Sequence, residues 1–94
     1  MKNPDTGREA LLLGELIETF ERLGISVEFA NLSFDDIQGK GGLCRVRDRE
    51  KIILDRRLTV EDMNELLASE LAKMDVEDIY LSPVVREAVE RHAR

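Results

Sequence analysis

Ser69, Glu70 and Lys73 are the residues of this chain whose types and spacing come closest to chemistry. They lie in the run Leu66 to Lys73, which reads as helix, and residues four apart on a helix share one face. A serine and a lysine so placed can supply a nucleophile and its base. A carboxylate beside them can move a proton. No oxyanion hole is evident near them. The structural alternative is plainer: a helix glutamate flanked by leucines reaches the rim of the core or pairs with an arginine. Arg45, Arg47 and Arg56 are the basic residues that could hold it.

The same arginines raise a second possibility. Arg45, Arg47, Arg49, Lys51, Arg56 and Arg57 concentrate positive charge in a chain that is otherwise acidic. Arg45 and Arg47 would share a strand face, because side chains alternate. A planar guanidinium binds phosphate or carboxylate with two parallel bonds, so the segment could hold an anion or an acidic partner. Equally, charge along a hairpin discourages edge-to-edge aggregation, and Asp48, Glu50 and Asp55 offset much of it. Gly39-Lys40-Gly41-Gly42 is a poor phosphate loop, since the phosphate-binding pattern needs a longer spacing and a following helix. It reads as a flexible turn. Cys44 has no histidine at a defensible spacing and reads as a small buried apolar residue. His92, near the end of the last helix, reads as a packing or capping residue.

Composition narrows the classes further. The chain has 94 residues, 43% hydrophobic and 36% charged, with a formal charge of −6. That is enough for a single domain over residues 1–94 with a small core. Net acidity disfavours nonspecific binding to nucleic acid or anionic membrane. Three Phe, one Tyr and no Trp leave little for a base-stacking platform. One cysteine excludes an internal disulfide and fits a reducing compartment. The first residues lack a signal-peptide pattern, and no apolar run approaches a membrane span, so a cytoplasmic location is expected. No cofactor or metal is expected. A protein partner is possible, and the oligomeric state is open.

The elements that must position these residues are legible in outline. Thr6 followed by Glu9 has capping-box spacing. Leu12, Leu13, Leu16, Ile17, Phe20 and Leu23 then recur every three or four residues as one helical stripe. Gly24 suits a left-handed C-cap. Ile25, Val27 and Phe29 alternate with Ser26, Glu28 and Ala30 as a half-buried strand. Leu32, Phe34 and Ile37 anchor the segment that follows. Leu43 to Arg47 and Lys51 to Leu54, joined by Asp48-Arg49-Glu50, read as a β-hairpin. Thr59 is a plausible N-cap for a second helix running to about Met74, with Glu61 and Asp62 in its first turn. Val76 to Leu81 forms a brief strand or simply docks. Ser82-Pro83 opens a third helix, serine as cap and proline at the first helical position. Val85, Ala88, Val89 and His92 share one of its faces. The expected fold is α+β in the order α-β-β-β-α-(β)-α. It has a three- to four-stranded antiparallel or mixed sheet and three helices, packed mainly on one face.

On the second helix, Met63, Leu66, Leu67, Leu71 and Met74 make one apolar stripe, and Glu70 falls near its middle. An unpaired charge there is costly, so Glu70 must pair, ionise late or face a cleft. In a zinc-peptidase helix reading H-E-x-x-H, two histidines hold the metal and the glutamate is the general base. Ser69-Glu70-Leu71-Ala72-Lys73 has that outline with both histidines replaced. The wider layout is similar too: a helix, then LGISVEF, then a Gly-rich hairpin, then KIILDRRLTVEDMNELLASELAK. Over about residues 10 to 75 the chain resembles the core of the small zinc peptidases of the ImmA/IrrE type. The likeness implies a peptidase-like scaffold on which Glu70 stands at the base position. Catalytic zinc needs three protein ligands. Neither Ser69 nor Lys73 is a normal one, and His92 and Cys44 cannot complete a set. The segment GGLCRVRDREKIILDRRL is also similar to small bacterial proteins of about this length, a likeness that brings no function with it.

Three readings of function follow. The first is a non-catalytic interaction or scaffold module on a metal-free peptidase-like core. The second is an enzyme using Glu70 with Ser69 or Lys73. The third is an anion or nucleic-acid binder using Arg45, Arg47 and Arg56, against which net acidity and few aromatics count.

Overall fold

The computed structural model describes residues 6–31 and 41–92. The expected anchors Leu32, Phe34 and Ile37, and the Gly39-Lys40 half of the Gly-rich turn, lie outside those residues. The order is α1 (Thr6–Arg22), β1 (Ser26–Ala30), β2 (Gly41–Val46), β3 (Arg49–Asp55), α2 (Val60–Ala72) and α3 (Pro83–His92). This is the expected α+β fold with a mixed sheet.

Helix α1 ends where its sequence says it must. Gly24 takes a φ of 82°, and two bonds close the end: Ile25 N–H donates to Phe20 O at 2.9 Å, and Gly24 N–H to Glu21 O at 3.0 Å. That is a Schellman cap, completed by burial of both Phe20 and Ile25. The glycine avoids the clash a Cβ would suffer in the left-handed region. The chain turns straight from the cap into β1.

Strand β3 is central. β1 pairs with it in parallel, Ser26 opposite Lys51 through Ala30 opposite Asp55. β2 pairs with it antiparallel, Gly41 opposite Leu54 through Val46 opposite Arg49. Alternation then sorts the side chains. Ile52 and Leu54 are fully buried on the helical side, with Val27 and Phe29 of β1 and Leu43 of β2 beside them. Lys51, Ile53 and Asp55 take the other face with Glu28, Ala30 and Cys44. Cys44 is therefore half-buried on the face away from the helices, not in the core as expected. Its neighbour Leu43 stands opposite Ile52 on the helical side and is itself 37% exposed.

The hairpin differs from its sequence reading in register. Its loop is the two residues Arg47 and Asp48, with φ of 52° and 68°, not the three residues Asp48 to Glu50. Positive φ at both positions is the type I′ geometry, whose twist matches that of the flanking strands. Arg47 thus leaves β2 and does not share a strand face with Arg45.

The core joins α1 through Leu12, Leu16 and Phe20, α2 through Met63, Leu67, Ala68 and Leu71, and α3 through Val85 and Ala88. Ile52 and Leu54 form its floor. Burying one such Leu or Phe contributes about 1.5–3 kcal/mol relative to leaving it exposed. Between α2 and α3 no strand forms among the described residues. Leu81 is buried, and Val76 and Ile79 pack half-buried against the core. Thr59 caps α2 as expected, its Oγ1 accepting from Asp62 N–H at 3.0 Å. Pro83 begins α3, and Ser82 O accepts from Arg86 N–H at 2.8 Å. The Ser82 hydroxyl, however, is buried and makes no bond, so the expected serine side-chain cap is absent.

Candidate functional site

Helix α2 presents a different face to the core than its apolar residues alone mark out. The buried residues are Met63, Asn64, Leu67, Ala68 and Leu71. At about 100° per residue, their centre is rotated roughly 60° from the Met63-Leu66-Leu67-Leu71-Met74 stripe. The small Ala68 and the polar Asn64 account for the rotation, because both face α1 and α3. Glu70 therefore sits roughly 90° from the centre of the buried face, at its edge. Its side chain is one-fifth exposed, and its carboxylate pairs with Lys73 Nζ at 3.5 Å. The partner is the lysine one turn along, and not Arg45 or Arg47. Ser69 is half-buried, and Lys73 is engaged with Glu70 rather than with Ser69. Nothing in this trio activates the serine hydroxyl.

The three expected anion-binding arginines are not brought together. Arg45, opposite Glu50, and Arg47, in the turn, are exposed at one end of the sheet. Arg56 follows Asp55 at the other end, six residues along β3 from Glu50, or about 20 Å at strand rise. There its Nη2 donates to Phe29 O at 3.2 Å and its N–H to Ala30 O at 2.8 Å, extending the β1–β3 ladder.

Beside Arg56 the strand ends on a fixed ion pair. Asp55 is buried, and Arg57 donates to it three times: N–H at 2.9 Å and Nε at 3.0 Å to Oδ1, and Nη2 at 2.8 Å to Oδ2. The side-chain bonds to Arg57 lead in lowering the Asp55 pKa from 3.8 to about 2, with the backbone N–H of Arg57 next and its charge adding to both. Arg57 is raised in return by the same bonds. The pair closes the turn into α2, and Leu58 N–H completes it on Asp55 O at 3.0 Å.

The polar groups that do converge were not brought together by any motif. A groove of about 220 Å³ opens between α1, α2 and α3. Leu12, Ala68 and Ala88 are its apolar lining. Glu9, Glu61, Asn64, Glu65, Arg91 and His92 are its polar one. Asn64 is 4% exposed and bridges helices: its Nδ2 donates to Glu9 O at 2.9 Å and to Glu9 Oε1 at 2.7 Å. Both partners are acceptors, which fixes the amide's orientation. Its Oδ1 is buried with no partner. An unmet acceptor of this kind costs about 1–3 kcal/mol. Glu9 was expected to close a capping box with Thr6, but its Oε1 is committed to Asn64; the Thr6 side chain is outside the described set. Across the groove, His92 Nε2 lies 2.8 Å from Glu65 Oε2, an ion pair when the imidazole is protonated.

Chemically, the groove offers carboxylates and an imidazole that could move protons, but among the described residues no Ser, Thr or Cys lines it to act as nucleophile. Among the described residues no group of three or more His, Cys, Asp or Glu side chains is placed to hold a metal ion. The one sequence signal for this site was an asparagine inside an otherwise apolar helix face; the Glu9, Glu61, Glu65 and Arg91 contributions carried none. No helix among the described residues is long and apolar enough to cross a membrane. No family model, no curated protein and no solved structure matches this chain.

Proposed function

We propose that the protein is a non-catalytic binding module whose working surface is the groove between α1, α2 and α3. The observation that carries this reading is Asn64. A buried amide holds two helices together and still leaves one acceptor unmet beside an open groove. Unsatisfied buried groups are rare in folded proteins, and a donor brought by a bound partner would meet this one. At about 220 Å³ the groove is smaller than the roughly 300–1,000 Å³ typical of small-molecule sites, and it suits a single side chain.

We further propose that the module stands on a metal-free counterpart of a zinc-peptidase core. The order of helix, strand, hairpin and helix up to Ala72 supports this, as does the pairing of Glu70 with Lys73 at the base position. On this reading the protein purifies without stoichiometric zinc. One zinc per chain by elemental analysis, with a melting temperature lowered by chelator, would refute it.

The groove is tested by ¹⁵N–¹H NMR on the full chain, titrated with small amines, carboxylates and neutral amides. Shifts confined to Leu12, Asn64, Ala68 and Ala88 with any of the three classes support the module. Absence of groove shifts with all three refutes it.

A further inference from the structure

We propose that the occupant of the groove is a primary alkylammonium, supplied by a lysine side chain of a partner protein. This rests on the reading of the groove as a binding surface and adds the chemistry of what it binds.

The sign of the ligand follows from the unpartnered atom. Asn64 has both amide hydrogens committed to Glu9, so what remains is an acceptor, which asks for a donor. The charges around it agree. Glu9, Glu61 and Glu65 face one guanidinium, Arg91, giving a formal −2 with His92 neutral. Two features pull the other way. The first turns of α1 and α2, marked by Glu9 and Glu61, bring two helix N-termini to the groove, each equivalent to roughly half a positive charge. The last turn of α3 brings the opposite pole, carrying Arg91 and His92. The carboxylates exceed the net of these, and Glu61 remains exposed at the lip to meet a cation.

The shape of the ligand follows from the lining. Leu12, Ala68 and Ala88 give methylenes an apolar wall, while the oxygens take the charged head, as long cationic side chains prefer. An ammonium brings three donors on a compact head. A guanidinium is wider, and Arg91 already lines the groove. The chain's charge of −6 draws basic proteins to it.

The test is the same NMR titration with defined probes: Nα-acetyl-lysine N-methylamide, its Nε-acetylated form, acetate and spermidine. The lysine amide is expected to shift Leu12, Asn64, Ala68 and Ala88, and the Nε-acetylated form to leave them unmoved. Asn64→Leu should abolish the shifts. That variant also cuts the tie to Glu9 and can unfold the chain, so Glu61→Gln on the exposed lip is the second variant. It should weaken binding about two- to fivefold, the range of one exposed ion pair. Groove shifts with acetate or the acetylated form, and none with the lysine amide, would overturn the ammonium and leave the binding module standing. No groove shift with any probe would overturn both. Spermidine binding tenfold or more tightly than the lysine amide would overturn the protein partner in favour of a free polyamine.

Discussion

The hairpin turn gives the sharpest physical test, because two residues there hold a conformation that L-amino acids resist. Arg47 and Asp48 sit at φ 52° and 68° between the paired residues Val46 and Arg49. The left-handed region costs an L-residue about 1–2 kcal/mol. Asparagine tolerates it through local hydrogen bonding, and glycine enters it freely. Arg47→Asn with Asp48→Gly installs the residue pair that type I′ turns favour. Glycine returns about 0.5–1 kcal/mol of the gain through its greater freedom in the unfolded chain. The net expectation is about 1–2 kcal/mol of added stability. For a domain of this size each kcal/mol moves the melting temperature by about 4–8 °C, so the rise should be roughly 5–15 °C. Thermal unfolding followed by circular dichroism reads it, and urea unfolding should show a higher midpoint at unchanged slope. Arg47→Val is the opposite perturbation, since a β-branched residue is a true outlier at positive φ. It should destabilise by at least about 1 kcal/mol. The three-residue loop Asp48 to Glu50 keeps Arg47 in extended strand, where valine is favoured. A double variant that melts no higher than wild type, with an Arg47→Val variant that melts no lower, would therefore refute the two-residue turn.

Further outcomes follow from other named contacts. The Asp55 carboxyl titrates at about 2 when folded against 3.8 ordinarily, so its pairing with Arg57 stabilises the fold fully above pH 3.8 and is lost as pH falls through about 2. The stability gap between wild type and Asp55→Asn should accordingly be constant at neutral pH and shrink across that window; an equal gap at pH 2 and pH 5 would show that Arg57 does not hold the carboxylate. Glu70→Gln should change stability by no more than about 0.5 kcal/mol in urea unfolding, because its partner Lys73 is two-thirds exposed and solvent screens the pair. A loss above about 2 kcal/mol would mean that Glu70 answers to a buried charge. Leu67→Ala, at a fully buried position, should cost about 2–5 kcal/mol of a total near 5–14 kcal/mol, whereas Leu11→Ala, at a position 57% exposed, should stay within about 0.5 kcal/mol.

What could be read from the sequence was what neighbouring residues decide. Gly24 after a helical stripe, Thr59 three residues before Asp62, and Pro83 at a helix start are short-range signals, and each stands where its local chemistry places it. The hairpin register failed on the same ground. Arg47-Asp48 lacks the Asn-Gly signature, so nothing local marked the two-residue turn, and the alternation of Arg45 with Arg47 pointed to a longer strand. The Ser82 cap was a local signal that tertiary packing overrode, for its hydroxyl is buried without a bond.

The groove was hidden for a deeper reason. Its central contact joins Asn64 to Glu9 across 55 residues, and no spacing rule reaches that far. Reading α2 by its apolar residues alone made Glu70 the intruder on the buried face. Packing against α1 and α3 rotates that face toward Ala68 and Asn64, so the polar residue within it is the asparagine. Ala68 and Asn64 among the leucines of α2 are the traces of that rotation in the sequence, since a small side chain lets a neighbouring helix approach. An uncharged amide also satisfies the burial constraint that a glutamate breaks, because two donors and one acceptor can be met without desolvating a charge. Two of those three demands are met within the fold by Glu9. The third is left unmet beside the groove that the three helices line, and on the proposed reading that asymmetry ties the packing of α2 to binding.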